Sequence, residues 1–290
     1  MRLHKKKKFD YIDVIANTFL VLFSICILYP MLHVVALSLS EKGPITRNEV
    51  SIFPIGLTLD SYTYFIDHPK FLSGFINGVW YTVEGVFANL FFTALVAYPM
   101  SKYKLIGRTF LMKMFVFTMY FSGGLIPIYL QLGNMGLHGS EWAWILAGLI
   151  STYNMIIVIN GYRAVPDSLY EAAYLDGASE FQVFYKIAVP LTKASLASIG
   201  LFYFIAHWNS WYNAMLYLND EHKWPLQLFM RSVLIENKET DMNPTFDQNR
   251  LTPTGVKNSL IVLSMIPVMI VYPFVQRYFV KGVMMGSVKG

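Results

Sequence analysis

The chain has 290 residues, 55% of them hydrophobic and 14% charged, with a mean hydropathy of +0.43 and a formal net charge of +5. That composition excludes an ordinary soluble domain and fits a membrane protein. One cysteine, Cys26, excludes an internal disulfide, and six scattered histidines with no HExxH pair give no metal-site pattern.

A membrane-crossing helix needs roughly 20 apolar residues, and six stretches qualify: 12–38, 75–98, 110–131, 142–160, 194–217 and 258–280. The start, "MRLHKKKKFD", resembles the basic end of a signal peptide. The apolar run after it is longer than such a region and lacks a small-residue cleavage site, so it reads as a retained span. Alternate segments are rich in basic residues: Arg2 and Lys5 to Lys8, then Lys102, Lys104, Arg108 and Lys113, then Arg163, Lys186 and Lys193, then Arg277, Lys281 and Lys289. The last external loop, roughly 218–257, carries Lys223, Arg231, Lys238, Arg250 and Lys257 offset by Asp220, Glu221, Glu236, Glu239, Asp241 and Asp247, and is balanced rather than basic. The positive-inside rule places the basic-rich segments and both termini in the cytoplasm. The positive charge is thereby a matter of topology, and no nucleic-acid partner is expected.

Residues 1–74 read as a basic cytoplasmic terminus, the first span and an external segment, and 75–290 as one helical core. In the external segment a short amphipathic run, Leu59 to Ile66, starts from a cap at Thr58. Glu84 is the one acidic residue deep inside a span, which makes it a functional candidate. A structural hydrogen bond is the competing role. No internal repeat is evident.

Between the fourth and fifth spans lies "VPDSLYEAAYLDGASEFQVFYKIAVPL", residues 165–191, too polar to cross a bilayer. Ser168 with Glu171, and Ser179 with Gln182, both have capping-box spacing. Gly177 supplies a positive φ to end the first helix, and Pro190 limits the second. The expectation is helix, bend, helix over 166–190, each piece about nine residues and roughly 14 Å long, too short to be stable unpacked. Leu169, Ala172 and Ala173 form one apolar face; Phe181, Phe184 and Ile187 form another. One reading is an interfacial hairpin on the lipid headgroups. The first helix, however, carries Asp167, Glu171 and Asp176 and no basic residue, which favours a protein partner.

The fifth span ends "FYFIAHWNSWYNAMLYLND". Trp208, Trp211 and Tyr212 offer flat faces to sugar C–H groups, and Asn209 and Asn213, four apart, share a helix stripe where amides meet hydroxyls. Tyr153, Asn154 and Tyr120 are further candidates. An aromatic belt at the membrane interface is the competing account. The loop that follows contains an amphipathic helix with Leu226, Phe229, Met230 and Val233 on one face and Pro225 near its first turn, then the polar stretch "NKETDMNPTFDQNRLTPTG", expected to be irregular and exposed.

The string Glu171, Ala172, Ala173, Asp176, Gly177, Ala178, Phe184, Ile187 and Pro190 resembles the cytoplasmic EAA loop of ABC-importer transmembrane subunits. "FSGGLIPIYLQLGNMGL", "AYPMSKYKLIGR", "HWNSWYNAMLYLND" and "KGVMMGSVKG" resemble the carbohydrate-uptake type, in its oligosaccharide and complex-polysaccharide branch, over about 53–290. The resemblance implies an all-α membrane protein with the type I importer fold: six transmembrane helices and a coupling loop. It also implies a bacterial plasma-membrane location, a second homologous permease subunit, two cytoplasmic ATPase subunits and an extracellular solute-binding protein that delivers the oligosaccharide. Glu171, Ala172, Ala173, Asp176, Gly177 and Ala178 then couple to the ATPase, with Glu171 meeting a basic residue there. The stretch from about Asn237 to Thr252, including Lys238, Glu239, Asp241 and Asn243, reaches the binding protein.

No GxxxxGK[ST] loop occurs, so the chain itself is not expected to be an enzyme or to hold a cofactor. ATP and Mg belong to the partner ATPases, and no metal site is expected. The alternative function is a proton-coupled secondary transporter using Glu84 and His207, with His33 as a further member of a proton path.

Overall fold

The computed structural model describes residues 11–235, 247 and 249–287. Among them the regular elements are helical; the strand-like pairing present is one isolated bridge, Ser40 with Leu57. In chain order the helices are α1 (Tyr11–Ser38), α2 (Lys42–Thr46), α3 (Asp60–Ile66), α4 (Pro69–Ser101), α5 (Arg108–Tyr120), α6 (Leu125–Asn134), α7 (Trp142–Ala147) and α8 (Thr152–Arg163). Then come α9 (Asp167–Leu175), α10 (Glu180–Val183), a π turn (Phe184–Ala188), α11 (Val189–Leu191), α12 (Lys193–Trp208), α13 (Trp211–Tyr217), a 3₁₀ turn (Glu221–Lys223), α14 (Leu226–Ile235) and α15 (Pro253–Ser287).

Among the described residues three helices are long and apolar enough to cross a membrane: α1, α4 and α15 through Tyr278. Two bent pairs meet the same criterion jointly. α5 and α6 turn by 113° across Phe121–Gly124, and α10–α11 and α12 turn by 78° at Thr192. The expected uninterrupted spans at 110–131, 142–160 and 194–217 are each broken. Gly124, at φ +86°, ends the first break at the cap position of α6. Residues 148–151 separate α7 from α8, and Asn209 and Ser210 separate α12 from α13.

The chain divides into two compact units. One comprises the described residues 11–68, 233–235, 247 and 249–264. Within it Ser38 Oγ and the Tyr62 hydroxyl lie 2.6 Å apart, and Ser259 Oγ donates to the Ser61 carbonyl at 3.2 Å. The expected cap of α3 shifts by one residue: Leu59 occupies the cap position without a side-chain bond, while Thr58 Oγ1 accepts from the Asp60 N–H at 3.2 Å.

The other unit comprises the described residues 69–232 and 265–287. Its centre is α4 packed between α8 and α12, with Ala97, Met155, Val158, Ile159, Val183 and Ile199 almost completely buried. Small residues permit the approach. A Cβ on Gly85 would stand 2.5 Å from the His207 ring, and one on Gly161 2.6 Å from Ser195 Oγ, the close helix contact that small residues allow in membranes. The amphipathic face read for α14 is buried at Leu226, Phe229 and Val233.

The last turn of α4 has two arginine caps. Arg108 Nε donates to the Met100 carbonyl at 2.9 Å and Arg163 Nε to the Ser101 carbonyl at 3.4 Å. Cations at a helix C-terminus meet both its unpaired carbonyls and the negative end of its dipole.

Candidate functional site

The hairpin from α9 through α10 has the expected bend. Gly177 has φ +77°, and its N–H donates to the Tyr174 carbonyl at 3.1 Å, while the Ala178 N–H reaches the Ala173 carbonyl at 2.9 Å. These bonds close the last turn of α9 on orphan carbonyls, as helix ends with a left-handed glycine do. The start of α10 carries the predicted capping box. Ser179 Oγ accepts from the Gln182 N–H at 3.4 Å, and Gln182 Oε1 accepts from the Ser179 N–H at 2.9 Å.

Three expectations are corrected. Ser168 and Glu171 form no capping box, because α9 begins two residues earlier than a cap at Ser168 requires, with Pro166 at the cap position and no side-chain bond. Pro190 does not end the second helix, which continues to Leu191 and breaks at Thr192. Proline is tolerated there because it sits in the first turn of a new short helix, where an N–H donor is dispensable. The apolar face of α9 is Tyr170 with Ala173, whereas Leu169 and Ala172 are exposed. The Tyr170 ring, larger than either, takes the inward position and donates its hydroxyl to the Tyr162 carbonyl at 3.3 Å.

The outward side of α9 therefore presents Ser168, Glu171, Ala172 and Leu175, the i, i+3, i+4, i+7 stripe of a helix. Leu175 is 90% exposed. Glu171 and Asp176 make no hydrogen bond or ion pair among the described residues. An apolar side chain in the open beside two carboxylates suits a partner with an apolar cleft and basic residues.

The inward side holds residues that the motif alone does not mark. Lys102, just past α4, places Nζ 3.4 Å from the Tyr170 ring centroid and 4.9 Å from that of Tyr98. The Tyr98 hydroxyl donates to Glu180 Oε2 at 3.1 Å. Burial pulls the Lys102 ammonium below its ordinary pKa, opposed by the nearby carboxylates Glu180 and Asp167. Burial, followed by Tyr174 and Asp167, pushes the Tyr170 phenol up to about 12. The spacing of Tyr98 and Lys102, four apart at a helix end, was the available signal. Their partners on α9 and α10 lie some seventy to eighty residues away.

The residues read as sugar-facing separate into two groups. Trp208 is 3% exposed, lies parallel to Phe204 at 6.5 Å and meets Phe75 edge-on at 6.1 Å, so it packs inside the chain. Asn154 is also buried. Asn209 and Asn213 share no helix stripe, because α12 ends at Trp208 and Asn213 belongs to α13; Asn209 Nδ2 donates to the Ile205 carbonyl at 2.9 Å. Tyr120, Tyr153, Trp211 and Tyr212 are exposed. Trp211 and Tyr212 meet edge-on at 5.6 Å, and the Arg231 guanidinium lies 4.8 Å from the Trp211 ring.

Glu84 faces Glu141 and Trp80, with its Oε2 buried and without a hydrogen-bond partner. His207 Nε2 lies 2.9 Å from Asn89 Oδ1, and His33 Nδ1 2.8 Å from the Ser51 carbonyl. These partners do not assemble a Glu84–His207 relay. Asn237, Lys238, Glu239, Asp241 and Asn243 lie outside the described residues. No group of His, Cys, Asp and Glu suited to a metal ion occurs among the described residues.

Long apolar helices carrying a polar hairpin define the class, a polytopic membrane protein. No protein-family model matches the chain. It is 39% identical to Protein LplC of Bacillus subtilis (strain 168), covering 99% of this chain and 98% of that one. It is 37% identical to the polygalacturonan/rhamnogalacturonan transport system permease protein YtcP of the same strain, over 96% of this chain and 98% of that one. Among solved structures it resembles a chain of a bacterial ABC transporter involved in the import of the acidic polysaccharide alginate, with TM-score 0.86, 31% identity, and coverage of 96% of this chain and 100% of that one. The chain belongs to the permease subunits of carbohydrate-uptake ABC importers.

Proposed function

We propose that this chain forms one half of a translocation path for oligosaccharides released from complex polysaccharides, drawn inward by ATP hydrolysis on separate subunits. The observation that carries the reading is the outward stripe of α9. Its glycine bend is intact, its carboxylates are uncommitted and its leucine is in the open, so it is shaped for a cleft on a cytoplasmic ATPase. Alternating access then follows from movement of that hairpin with the ATPase. Polysaccharide fragments are the substrate class because two relatives are named for transport of polygalacturonan or import of alginate.

In this reading six spans, both termini in the cytoplasm and the hairpin 166–190 on the same side complete the topology. The core is 75–290 and the appendage 1–74. A second homologous permease covers exposed Tyr120, Tyr153, Trp211 and Tyr212, which this chain does not enclose by itself. Stacking on sugar C–H faces is their role in the path. The external stretch 237–252 reaches the solute-binding protein.

The test is reconstitution of this chain with its partner permease, the ATPase subunits and the binding protein in proteoliposomes. ATP hydrolysis and uptake are measured against a panel of oligogalacturonides, alginate oligosaccharides and neutral plant-wall oligosaccharides. Stimulation by any member supports the reading; hydrolysis indifferent to all of them, with no uptake, removes it. A proton-coupled mechanism makes the opposite prediction at Glu84. Glu84→Gln should keep uptake within about twofold of the parent without a pH gradient, since glutamine keeps the size and polarity of the side chain and an ATP-driven cycle needs no proton from position 84. Abolished uptake, together with gradient dependence in the parent, would favour proton coupling.

A further inference from the structure

We propose that Lys102 pins the cytoplasmic end of α4 to the hairpin and is the positioning residue through which hairpin movement reaches the membrane helices. This rests on the coupling role proposed for the hairpin and adds the joint on its inner side.

Four observations lead there. Lys102 is bracketed by aromatic faces from both bodies it would connect: Tyr98 from α4 at 4.9 Å and Tyr170 from α9 at 3.4 Å. A second link runs parallel to the first, from the Tyr98 hydroxyl to Glu180 Oε2 at 3.1 Å. The ring of Tyr98 also meets Tyr162 of α8 edge-on at 5.7 Å and Phe184 of the π turn at 5.2 Å, so one side chain touches α8, α10 and the π turn. Beside the joint, Leu95, Pro99, Lys102, Glu180 and Phe181 line a groove of about 610 Å³. The joint thus lies at one edge of a groove between α4 and the second arm of the hairpin.

The physical consequence is a lever. α4 packs against both α8 and α12, so a force delivered at its last turn is distributed to the helices around it. A cation over two rings tolerates sliding, because the attraction to a ring face is broad compared with a hydrogen bond. The Tyr98–Glu180 bond is directional and fixes the register. The π turn, Phe184–Ala188, directly follows α10 and gives the second arm of the hairpin a place to flex.

The experiment compares Lys102→Met and Lys102→Arg with the parent in the reconstituted complex. The sugar is the oligosaccharide of the panel that stimulates hydrolysis most. The readout is uptake per ATP hydrolysed. Methionine keeps the length of the stem and removes the cation, and the expected ratio is about fivefold lower, the factor that ~1 kcal/mol of lost cation–π attraction gives. Arginine, which stacks on the same faces, is expected to restore at least half of the parent ratio. Tyr98→Phe, which preserves the ring and removes only the bond to Glu180, provides the second variant should the methionine protein fail to assemble, and is expected to lower the ratio as well. A parent-like ratio in Lys102→Met, or in Tyr98→Phe where that variant is the one that assembles, overturns the joint while leaving the coupling role standing. A parent complex in which hydrolysis and uptake are unlinked overturns both.

Discussion

Replacing Gly177 by valine is expected to reduce uptake and sugar-stimulated ATP hydrolysis by roughly thirtyfold, the factor for ~2 kcal/mol of left-handed backbone strain. The cause is backbone conformation rather than crowding. A Cβ at position 177 would meet nothing within 4 Å, yet φ is +77°. A β-branched side chain disfavours that φ more than any other, so the bend opens and the outward stripe of α9 turns away from its partner. Alanine should have a smaller effect and asparagine the smallest, because asparagine visits the left-handed region readily. The order valine, alanine, asparagine is the diagnostic, since a steric explanation would rank the three by size. Expression and membrane insertion, followed by quantitative blot of the membrane fraction, should match the parent. If valine supports parent uptake, the bend is not part of coupling.

Reversal of charge at Glu171 should produce the second large effect, on binding rather than on geometry. Glu171 is exposed and has no hydrogen bond or ion pair within the chain among the described residues, so Glu171→Lys removes nothing from the fold of the permease. In a docked cleft the carboxylate would face a basic residue, and breaking a desolvated charge pair costs about 2–5 kcal/mol. ATPase binding to the detergent-solubilised permease is accordingly expected to weaken on the order of a hundredfold. Glu171→Gln, which loses the charge without introducing a like one, should fall between. The thermal midpoint of the permease alone should stay within a few degrees of the parent, because surface substitutions away from special features change stability by about 0.5 kcal/mol at most. Undiminished ATPase binding by Glu171→Lys would show that the acidic stripe is not the docking surface.

The bend at Gly177 was legible because it is written in neighbouring letters. A glycine after an aspartate at the end of an amphipathic run, followed two residues on by a serine with glutamine three further along, specifies a turn and a cap through bonds that span at most five residues. The turn at Gly177 and the box at Ser179 with Gln182 formed as read. The Ser168–Glu171 box, of equal spacing, did not form. Capping demands a particular backbone at the cap residue, and the helix started at Asp167, leaving Ser168 inside the first turn.

The spans show where local reading stops. Apolar composition predicted α1, α4 and α15 well, because each is a continuous apolar run whose backbone can be satisfied only within the helix. It also predicted uninterrupted helices at 110–131, 142–160 and 194–217, and each is broken. Hydropathy counts apolar residues and is blind to bends. The Gly123–Gly124 pair was a visible warning at the first break, whereas Asn209 and Ser210 at the third carry no comparable signal. That break is what parts Asn209 from Asn213, which sequence periodicity alone placed on one stripe.

Composition and short-range pattern by themselves determined that this protein is helical, that it is a membrane protein and that a polar hairpin with an acidic outer stripe lies between its apolar segments. Each depends on the chemistry of residues within one or two helical turns. Only the tertiary structure decided that Trp208 is a packing residue, seated where glycines at 78 and 85 let α12 approach α4. It alone joined Lys102 to Tyr170 and Tyr98 to Glu180. Those pairings bridge 68 and 82 positions, and which distant side chains meet depends on how closely helices can approach. That is a property of the packed volume rather than of any local stretch of sequence.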